Sequence, residues 1–326
     1  MAGFTGYTLQ DGFESGNFNV WTGTTKTSGE TATVVDTVKY RGTYSAKFYC
    51  DGSSTGETAF AYKTVAPKTV CYARFYVRYE TALPPLTGEE FMPFNLRNAA
   101  ANKLIACVDA YHNGVNVFWS LEWRNGASAY RTITDVPVIL NQWYCIEVYA
   151  KVASPPDGEF EFWIDGVSKV TQTGKDSDYY GSITVIQVGE RYSSGTVMHN
   201  TYVDCVCVAD DYVGPRINSS FYFSDGGVFF VNGTEVANGT SYEDDRYALY
   251  ELGTHLFNSS FRFESFSWES GSSSTTPYNY IVLEETEVWA NFRTSYMGGL
   301  PYLFYVGVAL SVVGICSIPI ARRRKK

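Results

Sequence analysis

Basic residues and histidines are scarce in this chain of 326 residues. Its 25 Lys and Arg are outnumbered by 34 Asp and Glu, which gives a formal net charge of −9. Because binding to a nucleic-acid backbone needs clustered Lys and Arg, we predict no nucleic-acid partner. The 3 histidines are scattered, and Cys205 and Cys207 have no second Cys or His pair near them, which argues against a zinc site.

Strong helix formers are also scarce, whereas aromatic residues, Thr, Ser and Gly are abundant. Aromatics make up 17% of the chain, with 26 Tyr and 21 Phe. These residues suit pleated strands and tight turns, so the composition predicts an all-β protein. A chain of this length has room for about two domains.

Six cysteines precede the C-terminal region, and a seventh, Cys316, lies within it. An even number would suit disulfides in an oxidising exterior, but most of the six lie in apolar strand patterns, where a thiol behaves as a small hydrophobe. Both alternatives stay open for Cys50, Cys71, Cys107, Cys145, Cys205 and Cys207.

One long apolar run, residues 300–321, predicts a transmembrane helix. It is long enough to cross a hydrocarbon core, and the five basic residues 322–326 follow it directly. The positive-inside rule then predicts a cytoplasmic C-terminus and an ectodomain outside, held to membrane lipid at a cell or viral envelope surface. A cytosolic tail-anchored protein is the alternative, because residues 1–7 do not resemble a signal peptide.

Four glycosylation sequons favour the exterior topology. They are clustered rather than spread along the chain, although each short pattern alone is weak. Their acceptors are Asn218, Asn232, Asn238 and Asn258.

Residues 1–213 predict a first domain made of short strands separated by Asn-Gly and Asp-Gly turns. Its segments DGFESGNFNVW (11–21), WYCIEVY (143–149), GEFEFWIDG (158–166) and YVDCVCV (202–208) resemble the concanavalin A-like (laminin G-like) lectin/glucanase family. The resemblance implies a jelly-roll β-sandwich. It does not specify function, since that fold hosts lectins, glycanases, lyases and adhesion modules.

Period-two alternation predicts which side chains face outward from the strands at 71–80, 115–124, 143–151 and 159–165. If these strands are neighbours, one concave face carries Tyr and Trp rings that can stack on sugars, with Arg and Glu to bind hydroxyls. The alternative is a solvated face whose charges pair across strands. The residues are Arg74, Tyr76, Arg78, Glu122, Arg124, Glu147, Tyr149, Glu161 and Trp163.

Catalysis is less strongly indicated than binding. A retaining glycosidase needs two carboxylates on one face, and the run Glu159 to Asp165 lacks the spacing of laminarinase-type relatives. The weak candidates are Glu122, Glu147 and Glu161, of which Glu122 and Glu147 could meet across strands.

The same resemblance implies a structural calcium ion between the first and last strands. The matching positions are Glu14 and Asp204, with backbone carbonyls completing the coordination. Alternatively, both carboxylates accept hydrogen bonds from local backbone amides.

Residues 216–293 predict a smaller β-rich domain, similar to the internalin-type β-grasp repeats of surface proteins. It contains no catalytic or metal constellation and fits a stalk. We therefore expect a membrane-anchored surface protein that binds carbohydrate or mediates adhesion. The alternatives are a surface-anchored polysaccharide hydrolase or lyase, and a ligand-free structural coat component.

Overall fold

The structure is a computed structural model that describes residues 7–215 and most of 217–294. In the latter region the described stretches are 217–223, 227–231, 234–244, 249–256, 261–268, 271–273, 278–281 and 286–294. Every regular element in these residues is a β-strand, so the all-β prediction is confirmed for the described part of the chain.

Fifteen strands form the first part of the chain. They are β1 (Tyr7–Asp11), β2 (Gly23–Lys26), β3 (Thr31–Val35), β4 (Ser45–Cys50), β5 (Glu57–Lys68), β6 (Val70–Glu80), β7 (Glu90–Asn98), β8 (Lys103–His112), β9 (Val117–Asn125), β10 (Ser128–Pro137), β11 (Tyr144–Lys151), β12 (Gly158–Ile164), β13 (Val167–Lys175), β14 (Ile183–Ser193) and β15 (His199–Ala209).

These strands make two antiparallel sheets. The first sheet has the order β13-β12-β11-β6-β15-β4-β3, with β1 also paired to β15. The second sheet has the order β10-β9-β8-β7-β14-β5-β2. The predicted two-sheet sandwich is therefore present. Each sheet packs one face against the shared core and points its other face outward.

Large apolar side chains from both sheets fill the space between them. Trp119 on β9 is fully buried, and the rings of Phe75 on β6 and Phe94 on β7 stack at 4.8 Å, which joins the two sheets. Alternation in β12 buries Phe160 and Phe162, as the sequence predicts. The two-residue period thus places one face of each strand in the core and the other on the outside.

Gly189 is a position where the core requires glycine. Its φ is +103°, and a Cβ there would lie 2.6 Å from the ring of Phe48 and 2.8 Å from the carbonyl oxygen of Ala59. Any side chain at this position would therefore be strained and would displace the core.

Nine further strands follow residue 215. They are β16 (Ile217–Phe223), β17 (Gly227–Val231), β18 (Thr234–Val236), β19 (Thr240–Asp244), β20 (Leu249–Leu256), β21 (Phe261–Trp268), β22 (Gly271–Ser273), β23 (Tyr278–Ile281) and β24 (Thr286–Thr294). They form one sheet of order β19-β16-β24-β21-β22 and another of order β18-β17-β20-β23. β16 and β24 pair in parallel.

The predicted anchor at 300–321 and basic tail at 322–326 lie outside the described residues, as do Asn232 and Asn258. Asn218 lies in β16, and Asn238 is exposed in the turn before β19. Within the described ranges, no helix has the length and apolar character needed to cross a membrane.

Candidate functional site

The outward-facing residues predicted to share one face are divided between two opposite faces. β6, β11 and β12 are adjacent in the first sheet, but β9 belongs to the second sheet. Glu122 and Arg124 therefore lie on the far side of the sandwich from Glu147, and the predicted single face was wrong in this respect. The reason is local, because short hairpin turns pair β9 with β8 and β10 before the chain crosses to β11.

The outer face of the first sheet is covered by its own chain. Glu147 is 2% exposed, and its carboxylate accepts hydrogen bonds from the backbone N–H of Val213 at 2.8 Å and of Gly214 at 2.7 Å. The ring of Tyr76 is buried against that of Tyr40, with centroids 3.8 Å apart. Segments 36–44 and 210–215 therefore lie over the centre of this face.

The remaining predicted residues of the first sheet also contact protein groups. Tyr149 stacks on Tyr72 at 4.5 Å, and half-buried Trp163 lies 5.3 Å from the ring of Tyr212. Buried Arg74 lies opposite Glu147 in register, while Arg78 donates to Asn141 Oδ1 at 2.8 Å. The aromatic rings pack on one another and do not line an open groove at Tyr76 or Tyr149.

The sheet topology separates Glu122 from the other two weak catalytic candidates. Glu122 and Glu147 lie on opposite outer faces, so the expectation that they could meet was wrong. Glu161 is half-buried on the first sheet, where burial, followed by the charge of Glu159, raises its pKa. Glu147 shares this face with Glu161, but its carboxylate is occupied by the backbone N–H groups of Val213 and Gly214.

Glu14 and Asp204 both bind the loop before β4. Asp204 Oδ2 accepts from the N–H groups of Tyr40 and Arg41 at 3.0 and 3.1 Å, and Glu14 accepts from those of Thr43 and Tyr44. Burial raises the pKa of Asp204 to about 6, against the effect of these N–H donors. This arrangement matches the local-amide alternative, and a calcium ion between the two carboxylates stays a prediction.

A row of polar side chains crosses the outer face of the second sheet. The strand register aligns one residue from each of six neighbouring strands. Residues adjacent to them along the chain, Leu121, Leu96 and Ile186, point into the core, so the aligned residues point outward. We call this set the polar row: Arg131, Glu122, Cys107, Asn95, Gln187 and Tyr62.

The two amides at the centre of the polar row have unused hydrogen-bonding groups. Asn95 is fully buried, and neither its side-chain nitrogen nor its oxygen has a hydrogen-bond partner among the described residues. The adjacent Gln187, 7% exposed, likewise has no partner for its Oε1 in that part of the chain. An unpaired buried polar group costs about 1–3 kcal/mol, so two side by side point to an external partner such as a ligand or water.

One end of the polar row is acidic. The guanidinium of Arg131 contacts Glu90, lies 3.1 Å from Glu122 and 3.3 Å from Asp109, and sits 4.4 Å over the ring of Tyr111. Burial, opposed by Arg131, raises the pKa of Asp109 to about 8. Asp109 therefore keeps its proton near neutral pH, which limits the repulsion among the three carboxyl groups.

Cys107, Asp109 and Glu122 each place one potential metal-ligand atom within 4.8 Å of the others. Arg131 already lies against two of these carboxyl groups. Since the guanidinium supplies the positive charge at this point, we assign the trio to an ion-pair network.

Arginines flank the amides elsewhere on this face. Burial lowers the pKa of Arg97, and the positive charges of Arg191 and Arg124 lower it further, so each of these two cations lies close enough to Arg97 to repel it. The Nε atoms of Arg124 and Arg191 are buried without a hydrogen-bond partner in the described chain. Arg191 lies 5.3 Å over the ring of Phe60. Arg124 lies 3.7 Å from the carboxylate of Glu122, whereas Arg97 and Arg191 form no ion pair among the described residues. Those two cations favour an anionic ligand.

The sequence prediction identified Glu122 and Arg124 as outward-facing but missed Asn95, Gln187 and Asp109. A usable signal existed, because each is a polar residue inside an otherwise apolar strand. Their alignment depends on the pairing of β14 with β7 and of β7 with β8, which alternation within a single strand cannot show.

A separate apolar pocket of about 500 Å³ opens at one end of the sandwich. Its lining includes Pro84, Val117, Pro137 and Ile139, with His112 as its one titratable side chain. It has fewer groups that could orient a ligand than the polar row has.

No protein-family model matches this sequence, and a comparison with curated proteins finds no match. Among solved structures, the chain is similar to an endo-β-1,4-glucuronan lyase from the fungus Trichoderma reesei, with 16% identity and a TM-score of 0.50. That match covers 63% of this chain and 96% of the lyase.

Two further solved structures match more weakly. The cellulose-induced protein Cip1 has 18% identity and a TM-score of 0.47, with 63% of this chain and 99% of that chain covered. A carbohydrate esterase from the Shiga toxin-encoding bacteriophage phi24B has 15% identity and a TM-score of 0.46, with 64% and 100% covered. At these identities, what the chain shares with the glucuronan lyase is the β-sandwich fold.

Proposed function

We propose that this chain binds an acidic polysaccharide across the polar row of the second sheet. The observation that carries the proposal is the adjacent pair Asn95 and Gln187, buried with unused donors and acceptors. Sugar hydroxyls donate and accept, and so match amides. A uronate carboxylate matches Arg97 and Arg191, because a guanidinium can bind a carboxylate through two parallel hydrogen bonds.

The ligand class is also supported by the solved structure with the same fold. That protein is named as a glucuronan lyase, and 96% of it is covered by this chain. The fold alone hosts many functions, so the neighbour supports a carbohydrate ligand only together with the polar row.

We further propose that the sandwich is displayed outside a membrane, at a cell or virion surface, where polysaccharide binding would serve adhesion. This part is supported by the sequence alone: the apolar run at 300–321, the basic residues at 322–326 and the clustered sequons.

The decisive variant is Asn95→Leu in the full-length chain. A ligand-binding amide that is unpaired without its ligand destabilises the fold, so the variant should be more stable by about 1 kcal/mol while losing affinity at least roughly tenfold. Calorimetric titration with polyglucuronate and alginate, beside neutral dextran, measures affinity, and urea unfolding measures stability. The matched control is Gln172→Leu on the edge strand β13 of the first sheet, which should leave affinity unchanged.

Two results would contradict binding at the polar row. One is wild-type protein that binds none of the acidic polymers, which would favour the ligand-free coat alternative. The other is an Asn95→Leu variant that binds as wild type does.

A β-elimination lyase is the second candidate, favoured by tyrosines at both ends of the polar row. Tyr62 lies opposite Gln187 in register, and Tyr111 lies under Arg131. Amides and arginines that hold a uronate carboxylate would acidify the C5 proton. A tyrosine would remove that proton as the C4–O bond breaks, and the departing oxygen would take up a proton from water. Release of unsaturated ends from polyglucuronate, lost in Tyr62→Phe with binding retained, would establish the lyase and replace the binding-only proposal.

A further inference from the structure

A second group of carboxylates converges where strands of both sheets begin and end. Glu30 precedes β3, Asp51 follows β4 and Glu57 begins β5. Each offers an oxygen within 4.8 Å of the others. Glu30 and Glu57 are 2% and 1% exposed, so two of the three acids are held almost completely away from water.

Glu30 lacks any hydrogen-bonding partner within the described chain. Both of its carboxylate oxygens are buried, and neither accepts a hydrogen bond. Over the same residues, no Lys, Arg or His forms an ion pair with Glu30, Asp51 or Glu57. A buried carboxylate needs a compensating charge or a proton, because transferring an isolated anion from water is very unfavourable.

The other two acids are held in place by backbone donors. Glu57 accepts from the N–H of Gly52 at 2.9 Å and that of Ser54 at 2.8 Å, and Asp51 accepts from the N–H of Ser53 at 2.8 Å. Carboxylate oxygens have further lone pairs, so these bonds orient the acids without exhausting their capacity. The Glu30 carboxylate completes a preorganised, all-oxygen cluster.

We propose that Glu30, Asp51 and Glu57 bind a calcium ion, at a site distinct from Glu14 and Asp204. Three carboxylates supply up to six oxygens, and calcium takes 6–8 oxygen ligands at about 2.3–2.6 Å in flexible geometry. Magnesium fits less well, because it demands octahedral geometry and keeps several waters. Since β3 and β4 belong to the first sheet and β5 to the second, the ion ties the two sheets together at this end.

The test is the thermal midpoint of full-length protein, stripped with a chelator and then titrated with calcium chloride or magnesium chloride. At a calcium concentration about a hundred times the dissociation constant, we expect the midpoint to rise by roughly 5–11 °C, and to rise much less with magnesium. Glu30→Gln should abolish the calcium-dependent rise. Without calcium, this variant should also have a higher thermal midpoint than chelator-stripped wild type, because the amide removes the uncompensated charge.

Asp204→Asn is the control that separates the two carboxylate sites. It should keep the calcium-dependent rise if the ion binds at Glu30. A rise that persists in Glu30→Gln but vanishes in Asp204→Asn would place the ion at Glu14 and Asp204 and overturn the proposal. So would wild-type protein whose midpoint does not respond to calcium.

Discussion

Replacing Glu147 by glutamine distinguishes a structural role for this carboxylate from a catalytic one. The sequence places Glu147 among candidate catalytic residues, whereas the structure buries it under the segment that follows β15. Its two oxygens accept from the N–H groups of Val213 and Gly214 at 2.8 and 2.7 Å. Glutamine keeps the length of the side chain but can accept from only one of these groups, and it turns an N–H toward the other.

The expected loss follows from these two bonds. Hydrogen bonds to charged groups contribute about 1.5–3 kcal/mol each, and neutral ones about 1 kcal/mol. The variant loses one charged bond and weakens the other, which amounts to a loss of about 2–4 kcal/mol in the free energy of unfolding. For a domain of this size that lowers the thermal midpoint by roughly 4–16 °C.

Urea unfolding of full-length wild type and Glu147→Gln measures the loss, with Glu161→Gln as the control. Glu161 lies on the same face but is half-buried, so we expect its variant to differ from wild type by no more than about 0.5 kcal/mol. Polysaccharide affinity should be unchanged in both, below their unfolding transitions. A Glu147→Gln protein as stable as wild type that has lost binding or turnover would refute the structural role.

Three further outcomes follow from the sandwich. The pKa of Asp109 is about 8 in the folded protein and 3.8 in the unfolded chain. Because the unfolded chain loses this proton at lower pH, wild-type stability falls as the pH rises from about 4 to 8. Asp109→Asn should therefore gain stability relative to wild type from pH 4 to 8 in urea titrations, and a flat difference would contradict this. Gly189→Ala should lose at least about 2 kcal/mol, because its Cβ would strike Phe48; calorimetric melting that is unchanged would show the clash to be relieved. Cys50 and Cys71 are buried thiols, so they should react with a thiol reagent only after denaturation, and rapid labelling of native protein would argue against their burial.

The sequence predicts what each strand buries better than it predicts which strands meet. Alternation places Phe160 and Phe162 in the core, and both are buried there. The Asn125-Gly126 turn correctly predicts the hairpin of β9 and β10. These features depend on neighbours along the chain. The pairing of β6 with β15, strands far apart in sequence, depends on the whole sandwich, so no local pattern reveals it.

The candidate site shows the same division between local and long-range information. Glu122 and Arg124 are outward-facing, as alternation predicts, but the sheet to which β9 belongs decides what lies beside them. Asn95 and Gln187 each read as a single polar residue in an apolar strand. Only the register of β7 with β14 makes them an adjacent pair, and only the surrounding packing leaves their side chains without partners.

What covers a face decides whether it can bind a ligand, since both outer faces carry arginine, glutamate and tyrosine. The chain leaves β15 across the first sheet, and Glu147 holds that segment through its backbone N–H groups. A ligand on the first sheet would have to displace protein hydrogen bonds that are already satisfied. A ligand on the second sheet would instead bring hydrogen-bond partners to amide groups and arginine Nε atoms that lack them among the described residues.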